Sequence, residues 1–174
     1  RKPNMKHAIK LMAAVAVFAL SGAWLSAYGA NFPNAGSWTD SDGVTWSFQY
    51  NSLTAQITGA SGYGNVFIIP GKVKVETTEY EVIQIADDAF NVQKDSKASA
   101  IAWVGIPGCV QVVGARAFKG CESIASLIIA SGVQYIKSDA FNGCAFFYVG
   151  IPSSMRYIGD GAFANCPSLR CVGF

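Results

Sequence analysis

IPSSMRYIGDGAFANCPSL, running from Ile151 to Leu169, carries the frame Met155-x-x-Ile158-x-x-x-Ala162-Phe163 and then Asn165-Cys166. Back along the chain the frame returns as Val133-x-x-Ile136-x-x-x-Ala140-Phe141, Val110-x-x-Val113-x-x-x-Ala117-Phe118 and Val82-x-x-Ile85-x-x-x-Ala89-Phe90. The Phe positions lie 28, 23 and 22 residues apart. Lys119-Gly120-Cys121, Asn142-Gly143-Cys144 and Ala164-Asn165-Cys166 follow the later ones. Units open with Ile106-Pro107, Ile129-Ala130 and Ile151-Pro152, and Ile69-Pro70 has the same form. A second apolar stripe accompanies each opening: Ile101, Val104, Ile106; Ile124, Leu127, Ile129; Phe146, Val149, Ile151; Leu169, Val172, Phe174.

A period of this length is the signature of stacked coils. The Val-x-x-Ile and Leu-x-Ile stretches are β-branched and too short for helices, so they predict short strands. Pro after Ile lacks an amide donor and ends a strand. Gly or Asn before Cys supplies a tight turn. One coil cannot bury both stripes alone, whereas stacked coils lay Phe on Phe and Ile on Ile. The fold class expected is a β-rich repeat solenoid, a leucine-rich-repeat coil with short strands.

These residues resemble the bacterial BspA-type, or Treponema-type, leucine-rich repeat, whose pattern is L-x-x-I-x-I-P-x-x-V-x-x-I-G-x-x-A-F-x-G-C. Ile151 to Leu169 matches it almost position for position, and the resemblance covers about residues 66–174. Val44 to Thr58 and Phe67 to Val82 look like the β-hairpin region that leads into such repeats, with a hairpin inserted between Ile69-Pro70 and Val82. The organisation expected is a signal peptide over 1–30, a β-hairpin lead-in or cap over 31–79, and repeats over 80–174. Two departures stand out: five extra residues within 91–100, and one residue missing between Cys144 and Ile151. The last unit stops as the next would open and shows no polar cap, the pattern of a truncated array or of an end covered by a partner.

The leader reads as follows. Lys6, His7 and Lys10 form a basic start behind extra residues before Met5. Leu11 to Leu20 is an apolar run, and Ala27-Tyr28-Gly29 fits a cleavage site. The run is too short for a membrane span, so none is expected after cleavage. No Cys stands at its end, which argues against a lipid anchor. All 11 acids but only nine of the 13 bases lie beyond residue 30, so the mature chain carries a net charge of −2. Scattered bases on a slightly acidic chain make no footprint for nucleic acid.

The chemistry of catalysis is thin. His7 is the one histidine and leaves with the leader, which removes the imidazole of Ser-His-Asp and Cys-His machinery. Asp87, Asp88, Asp139 and Asp160 are the carboxylates to consider for a glycosidase pair. Asp139 and Asp160 read as occupying matching repeat positions in turns, where they accept backbone amides. Gly59 to Gly64 lacks the Lys-Ser/Thr of a phosphate loop and reads as a β-turn or hairpin loop. Cys121, Cys144 and Cys166 form a repeat-equivalent ladder, either of buried thiols or of a disulfide between two rungs. Cys109 and Cys171 lie outside it, and an odd total leaves a free thiol. No cysteine or histidine spacing suits zinc. No enzyme activity, cofactor or metal is expected.

Non-core positions recur in register and form outer ladders: Trp103, Ser126, Tyr148, Cys171 on one strand, and Val112, Tyr135, Tyr157 beside Gln111, Gln134, Arg156 on the other. Aromatics and Arg carry much interface energy. Trp103, Tyr148, Tyr135, Arg156 and Tyr157 are therefore the candidate binding surface, although the same rings would also serve to cover neighbouring repeats. The resemblance implies a secreted or cell-surface binding module for adhesion or protein–protein recognition. Its partners would be a host-matrix or other cell-surface protein, or a glycan. The alternative is an accessory repeat region of a larger secreted protein whose activity lies beyond Phe174.

Overall fold

The computed structural model describes residues 31–62 and 64–174; the expected signal peptide lies outside them. Strands β1 (Asn34–Thr39), β2 (Thr45–Tyr50) and β3 (Thr54–Ser61) form an antiparallel meander. Its turns are built by short polar side chains bonding their own backbone. Asp40 Oδ1 accepts the amides of Asp42 and Val44, and Asn51 Oδ1 those of Leu53 and Thr54. Of the expected β-turn or hairpin loop over Gly59 to Gly64, Tyr63 lies outside the described residues. Gly59 to Ser61 belong to β3, and Gly62, at φ 78°, turns the chain towards β4 (Val66–Ile68). The glycines there end a strand, which their composition alone does not distinguish from a loop.

The inserted hairpin is β5 (Lys72–Val75) and β6 (Thr78–Ile85). Each later coil then places a strand on each of two sides. One side holds β7 (Trp103–Ile106), β9 (Ser126–Ile129), β11 (Tyr148–Gly150) and β13 (Cys171–Gly173). The other holds β8 (Val112–Val113), β10 (Tyr135–Ile136) and β12 (Tyr157–Ile158). A 3-10 turn, Ser96–Ala100, takes up the extra residues of the first unit, and Asp95 caps it by accepting the Lys97 amide.

The long sheet runs β1-β2-β3-β6-β8-β10-β12, with β5 attached to β6. The meander joins the repeats at β3, which pairs in parallel with β6, so stacking begins inside the lead-in region. β4 likewise pairs in parallel with β7. The opposite side is broken into β4-β7-β9 and β11-β13. The break falls on the coil that lacks a residue before Ile151. Phe146 takes a fully buried place edge-on to Phe141 and Phe163, with centroids 6.3 and 6.1 Å apart. With one residue fewer the coil fills its core position, and β11 packs against β9 without a strand ladder.

The core is a column of rings. Phe90, Phe118, Phe141 and Phe163 stack with centroids 5.1, 5.3 and 5.5 Å apart. Phe67 meets Phe90 edge-on at 4.9 Å, and Trp46 stacks on Phe67 at 4.9 Å. The lead-in region thus supplies two rings to a spine that the repeats continue. Offset or edge contact of this kind adds roughly 0.5–1.5 kcal/mol per pair beyond burial.

The turns form a third ladder. Phe90, Phe118 and Phe141 amides donate to the carbonyls of Ala117, Ala140 and Ala162 at 2.7–2.8 Å. Asp88, Arg116, Asp139 and Gly161 share the left-handed conformation at φ 59, 55, 57 and 66°. Asp139 is therefore matched by Gly161, and Asp160 by Ser138, not Asp139 by Asp160. Counted back from the Phe of each unit, Asp139 and Gly161 both stand two residues before it, and Ser138 and Asp160 three.

Candidate functional site

Along β7, Val104 and Ile106 point inward and are buried, so Trp103 and Gly105 face outward. The Trp103 ring lies across Gly105: a Cβ there would stand 3.1 Å from Trp103 Cζ3 and 3.8 Å from Ile68 Cγ1. Tyr148 repeats the arrangement on β11. A Cβ at Gly150 would stand 3.3 Å from its Oη, and one at Gly173 on β13 would collide with the same hydroxyl. A missing side chain two residues on lets the ring lie flat over the backbone. In the coil between, the sizes are reversed, with Ser126 small and Ile128 large.

Register places Val66, Trp103 and Ser126 in one row and Ile68, Gly105 and Ile128 in the next. Val66, Ile68, Ile128, Phe147 and Tyr148 are 63, 59, 52, 62 and 51% exposed. Apolar patches this concentrated on a sheet face mark interaction surfaces. Sequence reasoning did not single out Val66, Ile68 and Ile128. In VFII, Val66 to Ile69, inner and outer positions are both apolar, and such a run reads as buried. Phe147 is exposed, while its neighbour Phe146 fills the core.

The five candidate residues divide between two surfaces. Trp103 and Tyr148 lie on the broken side. Tyr135 and Tyr157 stand opposite each other on the long sheet, with Val112 on Tyr135's other side. The Arg156 and Tyr157 amides both donate to the Gln134 carbonyl, at 2.8 and 3.1 Å. The outer ladder continues to Gln84, opposite Val112, and to Gln56 and Gln49, whose amide side chains bond in series at 3.0 and 2.7 Å. Polar amides therefore give way to aromatics along one row.

The acidic turns are committed to neighbouring coils. Arg116 donates Nε to Asp88 Oδ1 at 2.9 Å and Nη2 to Oδ2 at 2.8 Å. Lys94 and Asn91 also bond Asp88, each at 2.8 Å. The Arg116 guanidinium foremost holds the Asp88 carboxyl well below the usual carboxylate range, the opposite of what a general acid needs. Asp139 is lowered by Asn142 and then Lys119, and Asp87 accepts the Ala115 amide. The thiols are equally occupied. Cys121, Cys144 and Cys166 donate to the Phe90, Phe118 and Phe141 carbonyls, each at 3.3 Å, and all five cysteines are free. Burial pushes Cys121 up to about 12 and Cys144 higher still. Among the described residues no three ligating side chains converge, and no helix is long and apolar enough to cross a membrane.

A hollow lies at the β4 end of the apolar face. It holds about 210 Å³ and is lined by the Asp40–Val44 turn, Gly62, Gly64, Trp46 and Val66 to Ile68. Asp40 Oδ2 accepts the Trp46 indole N–H at 2.8 Å in its wall.

The family described as a BspA type leucine rich repeat region matches residues 84–174, in six copies. A leucine-rich repeat protein from Bacteroides capillosus is 26% identical, with a TM-score of 0.66 over 79% of this chain and 96% of that one. One from Bacteroides ovatus is also 26% identical, with a TM-score of 0.54 over 75% of this chain and 39% of that one. The pneumococcal vaccine antigen PcpA shares the fold at 18% identity, with a TM-score of 0.64 over 81% of this chain and 38% of that one. No curated protein matches the chain.

Proposed function

The chain belongs to the BspA-type leucine-rich repeat family, and from that membership we propose that it is a secreted or cell-surface binding module that recognises another protein through the apolar face of β4, β7, β9 and β11. The observation that carries this is the exposure of Val66, Ile68 and Ile128 on the β4-β7-β9 sheet and of Phe147 and Tyr148 at β11, on a frame held by a buried ring column. A rigid frame keeps such a surface assembled before it meets a partner, which lowers the ordering cost of binding. Trp103 and Tyr148, pressed over glycines, have already lost rotamer freedom and suit the role of anchors. Tyr135, Arg156 and Tyr157 constitute a second, separate patch on the long sheet. Adhesion to a host-matrix or microbial surface protein is the use proposed.

The test is retention of the purified chain on an array of matrix proteins, bacterial surfaces and glycans. Phe147→Ser with Tyr148→Ala should weaken capture by about tenfold or more, the scale of a hot-spot loss, with little change in melting temperature. Tyr135→Ala with Tyr157→Ala measures the second patch independently. No binding above background on any surface would sink the proposal.

A further inference from the structure

The hollow beside β4 and the apolar face open onto one another, because Val66 and Ile68 line the first and belong to the second. We propose that this hollow receives a lysine or arginine side chain from an extended partner polypeptide whose apolar residues lie along Val66, Ile68 and Trp103. This rests on the reading of the apolar face as a protein-binding surface and names the chemistry of its partner.

Size is the first reason. About 210 Å³ falls below the roughly 300–1,000 Å³ of sites for whole small molecules, and suits one long side chain. Charge is the second. Among the described residues the ionisable ones lining it are Asp40 and Asp42, and neither is in an ion pair. Asp40 spends three acceptor positions on the amides of Asp42 and Val44 and the Trp46 indole, which fixes its carboxylate towards the hollow's wall. Two carboxylates offer about four acceptor positions each, so acceptors remain for an incoming cation. Shape is the third. Val66 and Ile68 stand exposed beside the carboxylates, apolar surface on which a lysine or arginine stem packs while its head meets a carboxylate. Gly62 lines the hollow with backbone, the Gly43 carbonyl standing 3.1 Å from where its Cβ would be. The charged turns that compensate one another, Asp88 with Arg116 and Asp139 with Lys119, belong to the repeat turns and do not line the hollow. A partner cation would answer the two acids left without one.

The experiment uses the full chain on an array of immobilised nonapeptides of alternating Val and Thr, with Lys, Arg, Met, Gln or Glu placed at each position in turn. Lys and Arg peptides should hold at least about tenfold more protein than Met peptides, the scale of one charge-assisted hydrogen bond. Added salt should narrow that gap. Asp42→Lys, at an exposed carboxylate with no structural bond, should abolish the preference without moving the melting temperature. Ile68→Asp should remove binding of all peptides. Equal retention of Lys and Met peptides, both lost in Ile68→Asp, overturns the cation site and leaves the apolar face as a binding surface. Retention of glycans in place of peptides, or of no peptide at all, overturns the inference.

Discussion

The rings of Phe118 and Phe141 lie 5.3 Å apart with their planes 3° from parallel, each fully buried and each on the same position of its coil. Every turn of the solenoid hands its Phe to the next. Phe141 also meets Phe163 on its other side at 5.5 Å and Phe146 edge-on.

Phe141→Ala should cost about 3–5 kcal/mol, because packed coils on both sides cannot collapse into the space. Phe163→Ala should cost less, since Phe163 is only half-buried. Urea unfolding of the two variants measures the difference; an equal cost would mean the column does not act as a continuous core.

Asp88 makes stability depend on acid. Its carboxyl, held low by Arg116, contributes fully above the unfolded value of about 4 and loses that contribution as pH falls towards its folded value. Arg116→Met should lower the melting temperature at pH 7 and flatten its decline below pH 4. A melting curve at each pH tests this, and an unchanged acid slope would dismiss the pair as a linkage site.

Thiol reactivity should follow burial. Cys171 is exposed, Cys109 and Cys166 are half-buried, and Cys121 and Cys144 are buried. A chromogenic disulfide reagent should modify Cys171 first and reach Cys121 and Cys144 only when urea opens the coils, since the thiolate is the reactive form. Fast modification of Cys144 in the folded chain would contradict the closed core.

Close approach of coils requires glycine at Gly114. A Cβ there would sit 2.5 Å from the Ala86 carbonyl oxygen and the Asp87 nitrogen, backbone atoms that cannot swing away. Gly114→Ala should destabilise by about 1–3 kcal/mol, whereas Gly64→Ala, with nothing within 4 Å of its Cβ, should be near neutral. Denaturant midpoints for the two decide it.

Much of the fold is legible in the spacing of Phe118, Phe141 and Phe163, since equivalent residues of a coil stack whatever else the coil carries. The ladder Val112, Tyr135, Tyr157 and the thiols under the Phe carbonyls follow from that register. Trp46 and Phe67 were not legible as members of the ring column, because they belong to no repeat and reach it only through the pairing of β3 with β6 and β4 with β7. The match of Asp139 with Gly161, each two residues before its Phe, is legible in the spacing, and matching two acids by residue type overlooks it.

The candidate site was legible in part. Trp103 and Tyr148 could be found as aromatics in outward positions, but the apolar aliphatics beside them could not. Val66 and Ile68 have the composition of core residues, and hydrophobicity carries no sign for which side of a strand meets solvent.

The sequence by itself determined the period, the inward stripes and the column they form, because burial acts on each coil identically and repeats the same local choice. Tertiary structure alone decided which further outward residues join the outer ladders. It set Val66, Ile68 and Ile128 in rows with Trp103 and Gly105, broke the sheet between β9 and β11, and left a hollow between the Asp40 turn and Gly62. Those outcomes depend on pairing between segments far apart in the chain, where a single missing residue changes the register and no local propensity records it.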